Sequence, residues 1–105
     1  MTRHLIQILL PMRTNEGAPV PPEQFARVRV ELTEQFGGVT AYTRSPGTGL
    51  WKRDDDDAIE RDQVIMVEVV VEVFDREWWT GYREQLEQRF GQEVVHARVL
   101  PMEQI

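Results

Sequence analysis

The strongest strand signal in the chain is VIMVEVVVEVF, residues 64–74. Because successive side chains of a strand point to opposite faces, one face of this segment is entirely apolar. That face consists of Ile65, Val67, Val69, Val71 and Val73. The opposite face carries Glu68 and Glu72 among apolar residues. We therefore expect helices to cover the first face and to leave the second face open.

Apolar residues recur at i, i+3, i+7 and i+11 in two places, which predicts two amphipathic helices. The two stripes are Phe25, Val28, Leu32 and Phe36, and Trp79, Tyr82, Leu86 and Phe90. Pro22 suits the first turn of the first helix, and Gly37 suits its end. Asp75 is a good N-cap for the second helix, which Gly91 is expected to end.

Three further strands are predicted at residues 4–10, 39–43 and 93–100, where β-formers are bounded by proline or glycine. Residues 50–52 can resume pairing after the turn that interrupts the second strand. Pro101 is expected to end the last strand because it has no N–H to donate.

The predicted order is β-α-β-β-α-β in a single domain, residues 1–105. Phe36-Gly37 and Phe90-Gly91 end the two helices half a chain apart, which indicates two β-α-β halves. Right-handed crossovers then place the first and third strands centrally. We expect an α+β fold with a four-stranded antiparallel sheet, strand order 4-1-3-2, and both helices on one face.

Several short motifs carry a resemblance to other proteins. They are FGGVTAY at residues 36–42, GLW at 49–51, the strand at 64–74, and Trp78-Trp79. In these the chain resembles a group of small uncharacterised bacterial proteins over most of its length. The resemblance implies a ferredoxin-like α+β fold. The group has no established activity, so the resemblance implies no catalytic residue.

The composition restricts the classes of function. The chain has no cysteine, which excludes disulfides, thiolate metal sites and cysteine nucleophiles, and suits a reducing, cytoplasmic location. A formal net charge of −6 disfavours binding to nucleic acid or to an anionic membrane surface. The apolar run at 64–74 is far shorter than the roughly 20 residues that span a bilayer. We expect no nucleic-acid partner and no membrane association.

The open face is where we expect function. Its candidate ligand-binding residues are Tyr42, Arg44, Trp51, Glu68 and His96. An apolar face of this extent is rare on a monomer, so we expect a second copy to cover it and form a homodimer. The bound molecule would be a small ligand or a protein partner. Alternatively, Glu68 and Glu72 only pair with arginines, and His96 has no functional role.

Two classes of function stay open at this point. One is a binding module, and the other is a cofactor-independent enzyme that uses His96 or Glu68 as a base on the enclosed face. No phosphate loop, nucleotide fingerprint or catalytic triad motif is present, so no cofactor is predicted. Residues 54–57 are four aspartates without the spacing of a calcium loop, and we interpret them as a solvated tip and expect no metal.

Overall fold

The computed structural model describes the backbone of residues 3–43, 47–52 and 59–105, and the side chains of residues 3–43 and 63–105. The elements follow in the order β1 Arg3–Pro11, α1 Pro22–Phe36, β2 Thr40–Ala41, β3 Gly47–Lys52, β4 Ile59–Val71, α2 Arg76–Arg89 and β5 His96–Met102. None of the helices among these residues is long and apolar enough to cross a bilayer.

The strands form one antiparallel sheet in the order β2-β4-β1-β5, with β3 paired to the first half of β4. The predicted second strand is divided into β2 and β3, which pair with successive parts of the same neighbour. With that strand counted once, the order is 4-1-3-2, and the predicted α+β architecture is confirmed.

The hydrophobic core lies between the sheet and the two helices. The apolar face of β4 and the alternating residues Ile6, Ile8 and Leu10 of β1 are buried there. The helix stripes supply the opposite wall, including the fully buried Leu32, Leu86 and Phe90. Because both helices pack on this face, the sheet face that carries Glu68 is left uncovered.

The sequence-based end of β4 is wrong. The strand ends at Val71, and Val73, expected in the core, is 80% exposed. Alternation assigns a side chain to a face only while the backbone stays extended. Residues 72–73 form a bend that leads to Asp75, whose carboxylate accepts a hydrogen bond from the backbone N–H of Trp78 and caps α2.

The expected stop at Pro101 is also wrong. β5 starts at His96, later than predicted, and runs through Pro101 to Met102. Pro101 lies opposite His4 of β1. An edge strand tolerates proline because its outward-facing groups need no partner strand, and β5 is such an edge.

A polar cluster joins the two helices. The guanidinium of Arg89 donates two hydrogen bonds to the carboxylate of Glu31, and the Tyr82 hydroxyl donates a third at 3.0 Å. The hydrogen bond from Arg89 lowers the pKa of Glu31, against the effect of its partial burial. Burial, together with the neighbouring Glu31 carboxylate, raises the pKa of Tyr82. Glu31 is therefore held charged between the helices.

Candidate functional site

The sheet face away from the helices, called the open face below, is ordered in rows by the strand register. Residues opposite each other in an antiparallel pair share a face. Glu68 of β4 lies opposite Gln7 of β1 and opposite Thr40 of β2, and Gln7 lies opposite Arg98 of β5. A polar row therefore crosses the whole sheet.

Apolar residues flank this polar row on both sides. On one side the register places Leu5, Val70 and Leu100, and on the other Leu9 and Met66, with the polar His96 beside Leu9 on the edge strand. Val70 and Leu100 are 40% and 41% exposed. The polar row is thus set in a largely apolar surface.

The polar row is a continuous hydrogen-bond chain. The hydroxyl of Tyr42, which follows β2, donates to Glu68 Oε1 at 2.7 Å, and Gln7 Nε2 donates to Glu68 Oε2 at 2.7 Å. Arg98 Nε in turn donates to Gln7 Oε1 at 2.7 Å. Each carboxylate oxygen of Glu68 therefore accepts one hydrogen bond from a neutral donor.

In this series of hydrogen bonds, donation runs toward Glu68 from both sides. A guanidinium has no acceptor, so Arg98 requires the amide oxygen of Gln7 to face it. The amide nitrogen of Gln7 then points to Glu68, which must accept. This arrangement suits the ionised carboxylate, and the hydrogen bond and negative charge of Glu68 raise the pKa of Tyr42.

A hollow of about 500 Å³ lies beside Glu68 on the open face. Its walls include Leu5 and Val70 from the flanking apolar row, and Phe36 at the end of α1. The turn after α1 completes the rim, where Gly37 takes a left-handed φ of 84° that favours glycine. The hollow combines apolar walls with one carboxylate, which is the usual composition of a small-molecule site.

The structure brings two of the five predicted site residues into direct contact, Tyr42 and Glu68. His96 lies on the same face, opposite Leu9, but it does not line the hollow. Arg44 lies outside the described residues. Trp51 lies in β3 opposite Glu60, and its side chain is outside the described set.

Gln7 and Arg98 are further functional candidates on the open face, and they are not among the five residues predicted from the sequence. The register of β1 with its two neighbouring strands links them, because it puts Gln7 opposite Glu68 of β4 and opposite Arg98 of β5. His4 of β1 lies opposite Val71, on the helix side of the sheet. Its ring centroid is 6.2 Å from that of Phe74.

Metal ligands are not grouped in the part of the chain that the structure describes. Among the described side chains, residues 3–43 and 63–105, no three His, Asp or Glu residues are placed to hold a metal ion. The four aspartates at residues 54–57 lie outside the described residues. The polar side chains that line the hollow are Glu68 and Thr40, and Tyr42 and Gln7 contact it through Glu68.

Comparisons with known proteins find the fold in two solved structures. One is a phage SAM lyase in complex with S-methyl-5'-thioadenosine, with a TM-score of 0.66, and the other is a phage SAM lyase in the apo state, with a TM-score of 0.63. Each is 12% identical in sequence and covers 93% of this chain, which spans 80% and 79% of theirs. The fold of this chain is ferredoxin-like.

Neither a protein-family model nor a curated protein matches the chain. The structural likeness, at this level of identity, establishes the fold.

Proposed function

We propose that this chain binds a small molecule in the hollow beside Glu68, and that the ligand is an adenosine-bearing sulfonium or thioether. The observation that carries the proposal is the Tyr42–Glu68–Gln7 hydrogen-bond arrangement, which fixes a carboxylate on the wall of the hollow. The donors to Glu68 among the described residues, Tyr42 and Gln7, are neutral, so they orient the carboxylate without cancelling its charge. A fixed carboxylate of this kind favours a cationic ligand atom.

The size and walls of the hollow support this class of ligand. A volume of about 500 Å³ lies within the roughly 300–1,000 Å³ range of small-molecule sites. Phe36, Leu5 and Val70 offer apolar surface for a purine ring. A phage protein of the same fold is complexed with S-methyl-5'-thioadenosine, an adenosine thioether.

A second copy of the chain is part of the proposal. In the apolar row of Leu5, Val70 and Leu100, the first two line the hollow, and Val70 and Leu100 are exposed in one chain. A homodimer that covers this row would also enclose the ligand and strengthen its interaction with Glu68, because fewer waters would screen it.

Calorimetric titration with two ligands that differ in charge at sulfur tests the proposed ligand class. S-adenosylmethionine carries a sulfonium, whereas S-methyl-5'-thioadenosine is neutral at sulfur. We expect Glu68→Gln to weaken binding of the sulfonium at least about tenfold and to leave the thioether nearly unchanged. Glu72→Gln is the matched control, since Glu72 is 74% exposed beyond the end of the strand.

Absence of binding by both ligands would overturn the proposal. So would an equal loss in Glu68→Gln and Glu72→Gln, because the effect would then reflect net charge and not a site.

The second candidate function is an enzyme, a cofactor-independent lyase that acts on the sulfonium. It is favoured by the lyase activity in the names of the two proteins of the same fold. When a sulfonium carbon–sulfur bond breaks, sulfur keeps the electron pair and leaves as a neutral thioether. The carbon fragment then either loses a proton to a base or is closed by its own carboxylate.

Glu68 is the group assigned to the enzyme role, because it borders the hollow and His96 does not. The test is incubation with S-adenosylmethionine and detection of S-methyl-5'-thioadenosine. Conversion above the uncatalysed rate, lost in Glu68→Gln and kept in His96→Gln, supports the lyase. Binding without conversion supports the binding module.

A further inference from the structure

A second cavity lies on the helix side of the sheet, between α2 and the edge strand β5. Its volume is about 160 Å³. One wall is a stripe of α2 at i, i+4 and i+7, formed by Arg76, Thr80 and Arg83, and Trp79 and Phe74 add aromatic surface. The sheet separates this cavity from the hollow beside Glu68.

The cavity is cationic in an acidic chain. The sequence has 18 acidic and 12 basic residues, yet no Asp or Glu is among the described residues that line the cavity. Within residues 3–43 and 63–105, neither Arg76 nor Arg83 forms an ion pair with a carboxylate. Arg76 and Arg83 therefore line one small space without a carboxylate partner, and Arg98, whose Nε donates to Gln7, is a third arginine on its lining.

The two arginines also retain hydrogen-bonding capacity. Arg83 Nε is buried and has no hydrogen-bond partner among the described residues. An unsatisfied donor of a charged group is costly to bury, so a ligand that accepts from it is favoured. The Arg76 guanidinium carbon lies 5.2 Å from the centroid of the Phe74 ring, a contact that leaves its N–H groups available.

We propose that this cavity is a binding site for a small oxyanion, a phosphate or a carboxylate. Arg83 and Arg76 hold the anion, because a planar guanidinium matches two oxygens of either group. The Thr80 hydroxyl is a further donor on the same wall. Phe74 and Trp79 accept the carbon part of an organic anion, and the cavity volume restricts the ligand to a few heavy atoms.

Titration with inorganic phosphate and with succinate, at constant ionic strength, tests the site and separates the two chemistries. We expect saturable binding of at least one anion to the wild-type chain. Binding falls at least about tenfold in Arg83→Gln and falls in Arg76→Gln. The matched control is Arg29→Gln, on α1, which removes the same charge away from the cavity and leaves the affinity unchanged.

Two results would overturn the site. The first is the absence of saturable binding by either anion in the wild-type chain. The second is an equal loss in Arg29→Gln and Arg83→Gln, which would show a general effect of charge. Arg76 is exposed, so Arg76→Gln keeps the fold and decides the question if Arg83→Gln does not fold.

Discussion

At the scale of residues, the hydrogen-bond partners of Glu68 differ from those expected from the sequence. An acid on a face with arginines is expected to pair with one of them. Instead, among the described residues Gln7 stands between Glu68 and Arg98, so the Arg98 charge acts on the carboxylate through an amide. Glu68 is thereby oriented on both oxygens and keeps its negative charge available to a ligand.

The pKa of Tyr42 reports on this arrangement. The hydrogen bond and charge of Glu68 raise that pKa above the ordinary value of 10.0, because a nearby anion disfavours the phenolate. In Glu68→Gln the repulsion is lost, so the pKa falls toward the ordinary value. The chain has two tyrosines, and burial also raises the pKa of Tyr82, so we expect Tyr42 to give the first transition. The measurement is ultraviolet absorbance of the phenolate against pH.

Glu72→Gln is the control for this titration and should leave the first tyrosine transition where it is. A transition that does not move in Glu68→Gln would mean that the Tyr42–Glu68 hydrogen bond is not formed in solution.

At the scale of elements, periodicity predicted the faces of β4 and of both helices, but not where each strand ends. The apolar pattern of residues 64–74 continues past Val71, yet the chain has already turned toward α2. Packing and the helix cap at Asp75 determine that turn. The alternation of apolar and polar residues along the strand does not reveal either of them. The length of the short β2 is likewise not given by a sequence pattern, because it depends on pairing with β4.

Val69 and Val73 form a matched pair that tests this end of the strand. Val69 is 1% exposed and Val73 is 80% exposed. Val69→Ala removes buried methyl groups and should lower the free energy of unfolding by about 2–3 kcal/mol. Val73→Ala should change it by less than about 0.5 kcal/mol. Urea denaturation measures both, and equal losses would contradict the bend at residues 72–73.

The ion pair between the helices makes a second element-scale prediction. Removing the carboxylate in Glu31→Gln leaves Arg89 without its charged acceptor, and we expect a loss of about 1.5–3 kcal/mol at neutral pH. Glu34→Gln on the same helix is exposed and should cost less than about 0.5 kcal/mol.

The pH dependence of that loss follows from the lowered pKa of Glu31. A carboxyl group whose pKa is lower in the folded state stabilises the fold fully above its unfolded value, near 4.5. The contribution disappears as the pH falls from there through the folded pKa. Unfolding of wild type and Glu31→Gln should therefore converge under acid, and a constant difference across that range would contradict the ion pair.

At the scale of the whole molecule, the strand order was predictable because two β-α-β halves with right-handed crossovers leave few alternatives. The candidate site was predictable only in part. Alternation placed Tyr42 and Glu68 on one face, but their contact and the hydrogen-bond chain depend on strand register. The hollow depends on the turn after α1, which no periodicity describes.

The open face gives the last prediction, since one chain leaves its apolar row uncovered. If a second copy covers it, the wild-type chain sediments at twice its mass of 12.3 kDa. Leu100→Glu places a charge in the row and should shift the protein to monomer without unfolding it, because Leu100 is 41% exposed in one chain. Val94→Glu, at a position 54% exposed just before β5, should stay dimeric. A wild-type monomer at every concentration, or equal dissociation of both variants, would rule out this interface.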